Sequence, residues 1–415
     1  MDPKIPLPSL KSVERALRAT TERLALECAC PSTIAPKWDD FHWCMAQSVA
    51  SMQGISPLLA LRLRWQGPAA WQEYLQQQSR HTFARHQGIE RLAGNIDAAA
   101  REAKLAIVAL KGLALHDLGV YAPGTRPMAD VDLLVNEPDA AATVVLLASL
   151  GYKQSYATRR ERTFEPRDAG SPIGFGEHCD NAIKIELHTQ IAEWLPVRIR
   201  SISELLLPRR TDVGLRRSES PAALMTHLLL HAAGNMRTRS LRMIQLNDIA
   251  ELCSHLGADG WQRVLAHERA GRSGWVFPPL ALTARYYPGV IAPELLARAS
   301  GACPRWLRHV CRRQRLTDVS LSYLWIQFCP GIEWCHSLTE AVEYMQQRAF
   351  PDRATRAEVR QSETMQPWLV NSPWSRSSRT RRVVRWAFSR PPRVATMWSV
   401  QAACEHSGAD SGQVN

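Results

Sequence analysis

Two short apolar segments of strand length interrupt a chain that otherwise has helical periodicity, and this interruption constrains the fold most. Residues 105–110 and 131–135 are each almost continuously apolar. Runs this short are typical of strands buried inside a sheet, whereas helices show longer periodic stretches. Lys111-Gly112 follows the first run directly, and residues 112–119 have the pattern of a short helix. The sequence therefore predicts a small α/β unit around these two segments.

The neighbouring segments extend this unit and define its helical flanks. A helix is predicted over 138–150, closed by Gly151, and further strands over 152–156 and 182–188. Residues 38–103 predict three or four helices, and everything from 202 to about 347 has helical periodicity. We therefore expect an α+β fold, with a small mixed sheet between helical regions. The expected segments are an N-terminal extension (1–37), a helical region (38–103), the core (104–200), a C-terminal helical domain (201–347) and a basic, flexible tail (348–415).

Composition excludes several classes of protein. The chain is 45% hydrophobic, which excludes a disordered polypeptide, and it has no apolar stretch near the ~20 residues of a membrane span. Its first residues are proline-broken and lack the apolar core of a secretory signal. The ten cysteines include no Cys-x-x-Cys pair, so reduced thiols are expected. We expect a cytoplasmic protein.

The net charge of +12 is partly a local feature. Seven arginines and no acidic residue lie between Arg376 and Arg393. Such a basic tail binds nucleic acid, anionic lipid or an acidic partner, or it is simply solvated. Charge alone does not decide among these alternatives.

Three carboxylates are predicted to meet on one face of the sheet. Asp130 and Asp132 lie two apart at the start of a strand, so they share a face. Glu186 shares a face with Lys184 and His188 on the 182–188 strand. Neighbouring carboxylates repel unless a cation lies between them, and hard divalent ions prefer oxygen ligands. Mg²⁺ is the expected ion, with Mn²⁺ as an alternative.

A possible anion site precedes these carboxylates. The turn at Lys111-Gly112 leads into a helix, an arrangement that presents backbone N–H groups and a positive charge to phosphate. Three carboxylates beside such a turn are the layout of a two-metal phosphoryl or nucleotidyl transfer site.

The ordered motifs resemble a known family. They are Leu110-Lys111-Gly112-x-Ala114, Tyr121, Arg126, Asp130-x-Asp132-Leu133-Leu134-Val135, Gly151-Tyr152 and Glu186-Leu187-His188. This set is similar to the bacterial family called uncharacterised nucleotidyltransferase (NTP-transferase type 5), of the polymerase-β-like nucleotidyltransferase superfamily. The resemblance extends over roughly residues 38–290 and implies a polymerase-β-like core.

The resemblance also implies roles for individual residues. Asp130, Asp132 and Glu186 would hold the catalytic metals, and Glu186 would also act as base on the acceptor. Lys111 and Gly112 would hold the polyphosphate, and Arg126 would neutralise its developing charge. One departure is Leu113, which stands where many superfamily members have a second small residue, Gly or Ser.

The implied reaction transfers a nucleoside monophosphate from a nucleoside triphosphate (NTP) to an unknown acceptor, a small molecule, a peptide or RNA, and releases pyrophosphate. Two other hypotheses stay open. One is a non-catalytic nucleotide- or partner-binding protein of the same fold. The other is a toxin-like, RNA-modifying transferase that holds RNA with its basic tail.

Further polar residues have alternative interpretations. His188 orients Glu186, lines an acceptor pocket or makes a structural hydrogen bond. His227 and His231 share a helix face, and a structural, hydrogen-bonded role is expected for His231. Arg242 reaches the nucleotide or is held by Asp248 in a helix–helix salt bridge.

Overall fold

A computed structural model describes residues 7–158, 161–170, 175–209, 211–216, 220–269, 274–353, 355–357, 377–378, 381–382 and 389–411. Its α-helices are α1 (Leu10–Ala29), α2 (Asp40–Gln53), α3 (Ser56–Arg62), α4 (Ala69–Glu102), α5 (Lys111–Asp117), α6 (Ala140–Ser149), α7 (Ser203–Leu206), α8 (Pro221–Thr238), α9 (Met243–Cys253), α10 (Ala258–Arg269), α11 (Phe277–Tyr286), α12 (Pro293–Ala302), α13 (Arg305–Cys311), α14 (Leu316–Val319), α15 (Leu338–Ala349) and α16 (Val394–Ser411). Its strands are β1 (Ala106–Ala109), β2 (Asp130–Leu134), β3 (Tyr152–Ala157), β4 (Glu161–Pro166), β5 (Lys184–His188), β6 (Ala192–Trp194), β7 (Ile199–Ser201) and β8 (Gly214–Arg216).

Six strands form one mixed sheet in the order β3-β4-β5-β2-β1-β8. Strands β2 and β5 are parallel, as are β1 and β8, while the other neighbours are antiparallel. Strands β6 and β7 pair separately. The mixed sheet with flanking helices confirms the predicted α+β fold class.

The two faces of the sheet differ in polarity because strand side chains alternate. Val131 and Leu133 of β2 are buried in an apolar core with Ile89 and Ile96 of α4. The face that carries Asp132 looks instead toward α8, across polar cavities. A second, larger core joins the N-terminal and C-terminal helices, and α4 contributes to both cores.

Local sequence explains how α8 begins and ends beside the sheet. The Ser220 side chain accepts a hydrogen bond from the Ala223 backbone N–H, and Pro221 occupies the first turn. Both features are favourable helix starts. The helix ends at Arg239, which adopts the left-handed conformation at φ 61°. These ends place the polar face of α8, with His227 and His231, over the carboxylates.

Four strands differ from the sequence-based expectations. Strands β4, β6 and β7 were not predicted, and β8 lies in a stretch that was expected to be entirely helical. Strands β6, β7 and β8 have only three residues each, and β8 depends on distant partners. The backbone N–H of Leu215 donates to Asp97 Oδ1 at 2.7 Å, and Gly214 has φ 105°. Three residues carry too little periodicity to reveal such an edge strand.

The region expected to be a flexible tail contains a packed helix. Helix α16 contacts α2, and its Val400 and Ala403 are buried. Ser399 Oγ lies 3.2 Å from Ser48 Oγ, across this contact. Arg376, Arg379 and Arg385 of the predicted basic cluster, and the Trp386 between them, lie outside the described residues. No helix in the described ranges is both long and apolar enough to cross a bilayer.

Candidate active site

The register between β2 and β5 determines which carboxylates meet. Asp132 pairs directly with Glu186, and Asp130 pairs with Lys184. Neighbouring strands lie about 4.8 Å apart, so paired side chains on one face are in reach of each other. Asp130, Asp132, Glu186 and His188 therefore share one face of the sheet.

One group of potential metal ligands among the described residues contains Asp132, Glu186 and His188. One ligand atom from each residue lies within 4.8 Å of the others. His188 Nε2 is 3.2 Å from Asp132 Oδ1 and 3.7 Å from Glu186 Oε2. Asp130 does not belong to this group. It lines a separate cavity on the other side of Lys111.

Lys111 contacts the carboxylate group directly. Its Nζ atom donates to Asp132 Oδ1 at 2.7 Å, and its backbone has φ 46°. The left-handed residue of the turn is thus Lys111. Gly112 is needed for a different reason. A Cβ there would lie 2.5 Å from Arg126 Nη1 and 2.8 Å from Met128 Sδ.

Charge repulsion and burial shift the pKa values of this group apart. Burial, together with Asp132 and Asp130, raises the pKa of Glu186 to about 9. Burial and Asp132 also raise the pKa of Asp130. Burial opposes ionisation of Asp132, yet Lys111 and His188 hold its pKa well below its usual range. Lys111 therefore faces three carboxyl groups, of which Asp132 is buried and the other two are half-buried and resist ionisation.

Arg126 lies at the edge of this site but is already paired. Its Nε donates to Asp248 Oδ1 at 2.8 Å and its Nη2 to Oδ2 at 2.7 Å. Tyr121 donates a third hydrogen bond to the same carboxylate at 2.8 Å. Asp248 thus pairs with an arginine, as one interpretation expected, but the partner comes from the loop before β2.

Arg242 is placed differently from Arg126. Its Nε donates to the backbone carbonyl of Met52 at 2.9 Å, at the end of α2. Within the described part of the chain, Arg242 forms no ion pair with a carboxylate. Burial lowers its pKa despite the acidic groups nearby. Its guanidinium lines the same cavity as Asp130.

Two cavities lie on either side of Lys111 and His231, which line both. The first, here called the Asp130 cavity, has a volume of about 180 Å³ and is also lined by Gly112, Arg126, Asp132 and Arg242. The second, called the Glu186 cavity, has a volume of about 380 Å³. It is lined by Glu161, His188, Glu193 and His227 in addition to Glu186.

Sequence reasoning missed the acidic rim of the Glu186 cavity. Glu161 lies on the unpredicted strand β4 and Glu193 on β6. His231 Nδ1 lies 3.5 Å from Glu193 Oε1 and so connects α8 to β6, but its side chain is half-buried, whereas a buried histidine was predicted. His227 is buried, and its Nδ1 has no hydrogen-bond partner among the described residues. Burial and Lys111 hold the pKa of His227 well below its usual range.

A family model described as uncharacterised nucleotidyltransferase matches residues 39–286. The match covers more than half of the chain and contains both cavities. The chain belongs to this family. No curated protein and no solved structure matches it.

The candidate catalytic unit of this family member is the sheet face that carries Asp132 on β2 and Glu186 on β5. The matched region runs from α2 to the end of α11 and leaves α1 and α16 outside. Both outer helices nevertheless pack on α2. The folded unit is therefore larger than the matched region.

Proposed function

We propose that this protein is a metal-dependent nucleotidyltransferase that transfers a nucleoside monophosphate from an NTP to an acceptor and releases pyrophosphate. The observation that carries the proposal is the in-register pairing of Asp132 with Glu186, beside Lys111. The family match supports the reaction class.

The residues present fit a divalent cation. Asp132 and Glu186 offer carboxylate oxygens and His188 a neighbouring imidazole, all within 4.8 Å. Such a group is short of positive charge, since Lys111 balances only one of the carboxylates. Oxygen ligands suit Mg²⁺ and Mn²⁺, and an imidazole is also compatible with Mn²⁺ sites. Bound there, with Asp130 as a further ligand, a divalent ion would neutralise charge on the reacting phosphates.

The Asp130 cavity is the better place for the triphosphate. It contains Lys111 and Arg242, and Arg242 has no carboxylate partner within the described ranges. Cations without a matched acid favour an anionic ligand, and arginine recognises phosphate oxygens in pairs. Arg126 adds little there, because Asp248 accepts from its Nε and Nη2 and the Pro127 carbonyl accepts from its Nη1.

The Glu186 cavity is the better place for the acceptor. An acceptor hydroxyl there forms a bond to the α-phosphorus, while the bond from that phosphorus to the oxygen bridging the β-phosphate breaks. Glu186 accepts the hydroxyl proton in its ionised form, which a bound divalent ion would favour over the protonated form of the metal-free protein, and pyrophosphate leaves toward Lys111 and Arg242. The acidic residues Glu161 and Glu193 favour a neutral or cationic acceptor over an anionic one such as RNA.

The position of a labelled phosphate in the NTP distinguishes nucleotidyl transfer from phosphoryl transfer. The protein would be incubated with host lysate, Mg²⁺ or Mn²⁺, and an NTP labelled at either the α- or the γ-phosphate. We expect transfer of the α-label alone, lost in Asp132→Asn and retained in Tyr121→Phe. Transfer of the γ-label would instead identify a phosphotransferase. Metal–NTP binding without any transfer would identify a non-catalytic member of the family.

A further inference from the structure

A second group of metal-ligand side chains lies outside the candidate active site. His81 on α4 and His178 and Cys179 in the loop before β5 each offer one ligand atom within 4.8 Å of the others. The two imidazole rings are 4.4 Å apart between centroids. Cys179 is exposed, and both histidines are partly exposed. An ion can therefore reach all three from solvent.

The loop is held against α4 before any ion binds. Gln78 accepts from the Glu177 backbone N–H at 2.7 Å and donates to its carbonyl at 3.2 Å. Arg85 donates to the Asn181 carbonyl at 2.5 Å and lies 3.1 Å from the Glu177 carboxylate. Gln78 and Arg85 lie three residues before and four after His81, on one face of the helix. The same face therefore fixes the loop on both sides of His81.

A glycine also contributes to this fixed geometry. Gly176 has φ 80°, and a Cβ there would lie 2.5 Å from Gln78 Oε1. The loop can approach α4 this closely only with glycine at that position. The two loop ligands thus have little freedom to move away from His81, which lowers the entropic cost of ordering them around an ion.

We propose that His81, His178 and Cys179 form a binding site for Zn²⁺, separate from the carboxylate group. A thiolate with two imidazoles is a ligand set that zinc prefers, while Mg²⁺ prefers oxygen. Asp180 lies beside this group without belonging to it, with one carboxylate oxygen 3.7 Å from Cys179 Sγ and the other 3.7 Å from His178 Nδ1, so a solvent water would supply the fourth ligand.

The geometry requires only a small contraction. Tetrahedral zinc at about 2.0–2.3 Å from its ligands sets them roughly 3.3–3.8 Å apart, so donors now within 4.8 Å move by about 1 Å. His81 Nδ1 accepts from the Cys179 backbone N–H at 3.2 Å, and His178 Nδ1 from that of Asp180 at 3.2 Å. Coordination through Nδ1 replaces these two hydrogen bonds with bonds to the ion.

The position of the site suggests what the ion would stabilise. Arg85, one helical turn from His81, also donates to the backbone carbonyls of Met128 and Ala129 at 3.3 and 3.1 Å. These residues directly precede Asp130. An ion that ties the loop to α4 would therefore brace the segment that leads into β2. This effect does not depend on which reaction the protein catalyses.

Titration with Co²⁺, a spectroscopic substitute for zinc, tests the proposal on the full chain. Thiolate coordination gives a near-ultraviolet charge-transfer band, whereas the carboxylate group has no sulfur and gives none. We expect one equivalent of Co²⁺ to produce the band and Zn²⁺ to abolish it. The band should be absent in Cys179→Ser. His81→Ala should weaken Co²⁺ binding by at least about tenfold.

Matched variants separate this site from nonspecific binding. Cys30 is exposed like Cys179, so Cys30→Ser should leave the band unchanged, as should His255→Ala on an exposed helix end. Circular dichroism checks that each variant folds. Absence of the band in the unmodified chain, or its survival in Cys179→Ser, would overturn the proposal. An unchanged affinity in His81→Ala would also overturn it, because α4 would then contribute no ligand.

Discussion

The chain buries two ion pairs near Gly112, and they differ in how fully their charges are matched. In the first, Arg126 faces Asp248, and the carboxylate accepts three hydrogen bonds at 2.7–2.8 Å. In the second, Lys111 faces Asp132, and Glu186 and Asp130 lie nearby. Among the described residues neither of these two forms an ion pair with a lysine or an arginine, although Arg242 lines the same cavity as Asp130. The first pair is complete, and the second leaves two acidic groups without a paired lysine or arginine.

This difference separates a structural role from a functional one. A complete buried pair joins the loop before β2 to α9 and leaves nothing for a ligand to neutralise. An incomplete group opposes folding through repulsion and desolvation, yet it is suited to bind a divalent cation. The two pairs should therefore respond in opposite ways to mutation. The first should affect stability, and the second should affect activity.

The largest effect is expected from Asp248→Ala, which leaves the buried Arg126 guanidinium without its partner. Removing one member of a buried pair costs about 3–5 kcal/mol of unfolding free energy. Denaturant unfolding would measure the loss. Tyr121→Phe is the control, because it removes the hydrogen bond to Asp248 and the one accepted from Asn247 and should cost about 2 kcal/mol. A loss equal to that of the control would mean that the pair is not needed for folding.

Asp132→Asn should instead remove activity. Loss of one charged group that stabilises the transition state costs about 3–4 kcal/mol, or a factor of about 10²–10³ in rate. Transfer of the α-label would measure it, with denaturant unfolding as the check on folding. A variant that folds normally and transfers label at the unmodified rate would contradict the assignment.

Gly112→Ala tests the point at which the two pairs approach each other. The new Cβ would collide with Arg126 and Met128, and overpacking of this kind costs about 1–3 kcal/mol. Gly94→Ala is the matched control, since Gly94 lies within α4 and a Cβ there meets nothing within 4 Å. That change should stabilise the chain by up to about 1 kcal/mol. Equal effects in denaturant unfolding would reject the close approach at Gly112.

The smallest effect is expected from Glu186→Gln on the metal-free protein. The raised pKa of Glu186 means that the folded state holds a proton which the unfolded state releases near the usual pKa of glutamate. Stability should then fall as pH rises toward about 9. Glutamine cannot lose that proton, so the fall should be shallower in the variant. Parallel pH dependence of the two unfolding curves would contradict this account.

The helices and strands were predicted from the sequence more accurately than the contacts between them. Strand β2 and the helix after Lys111 appear from local periodicity, and the alternation of strand side chains places Asp130 with Asp132. The register that sets Asp132 opposite Glu186 depends on strand order, which no local pattern encodes. The same limit explains why the pairing of Arg126 with Asp248, 122 positions along the chain, was not predicted.

Some residues were recognised correctly but for a different reason. Gly112 was expected to hold the polyphosphate at the turn, and in the structure its lack of a side chain makes room for Arg126, while Lys111 adopts the left-handed conformation. His81 was not predicted to be a ligand, because its partner Cys179 lies 98 residues away in the sequence, next to His178. Residue type and spacing cannot reveal a group of ligands that only tertiary packing assembles.

Binding of Mn²⁺ tests the central claim most directly, namely that the incomplete group holds a divalent cation and the complete pair does not. Calorimetry would follow Mn²⁺ in the presence of a triphosphate with a methylene group between its α- and β-phosphorus, which cannot release pyrophosphate. A Cys179→Ser background removes the thiolate site. We expect binding that is lost in Asp132→Asn and retained in Tyr121→Phe. Undiminished binding in Asp132→Asn would contradict the account.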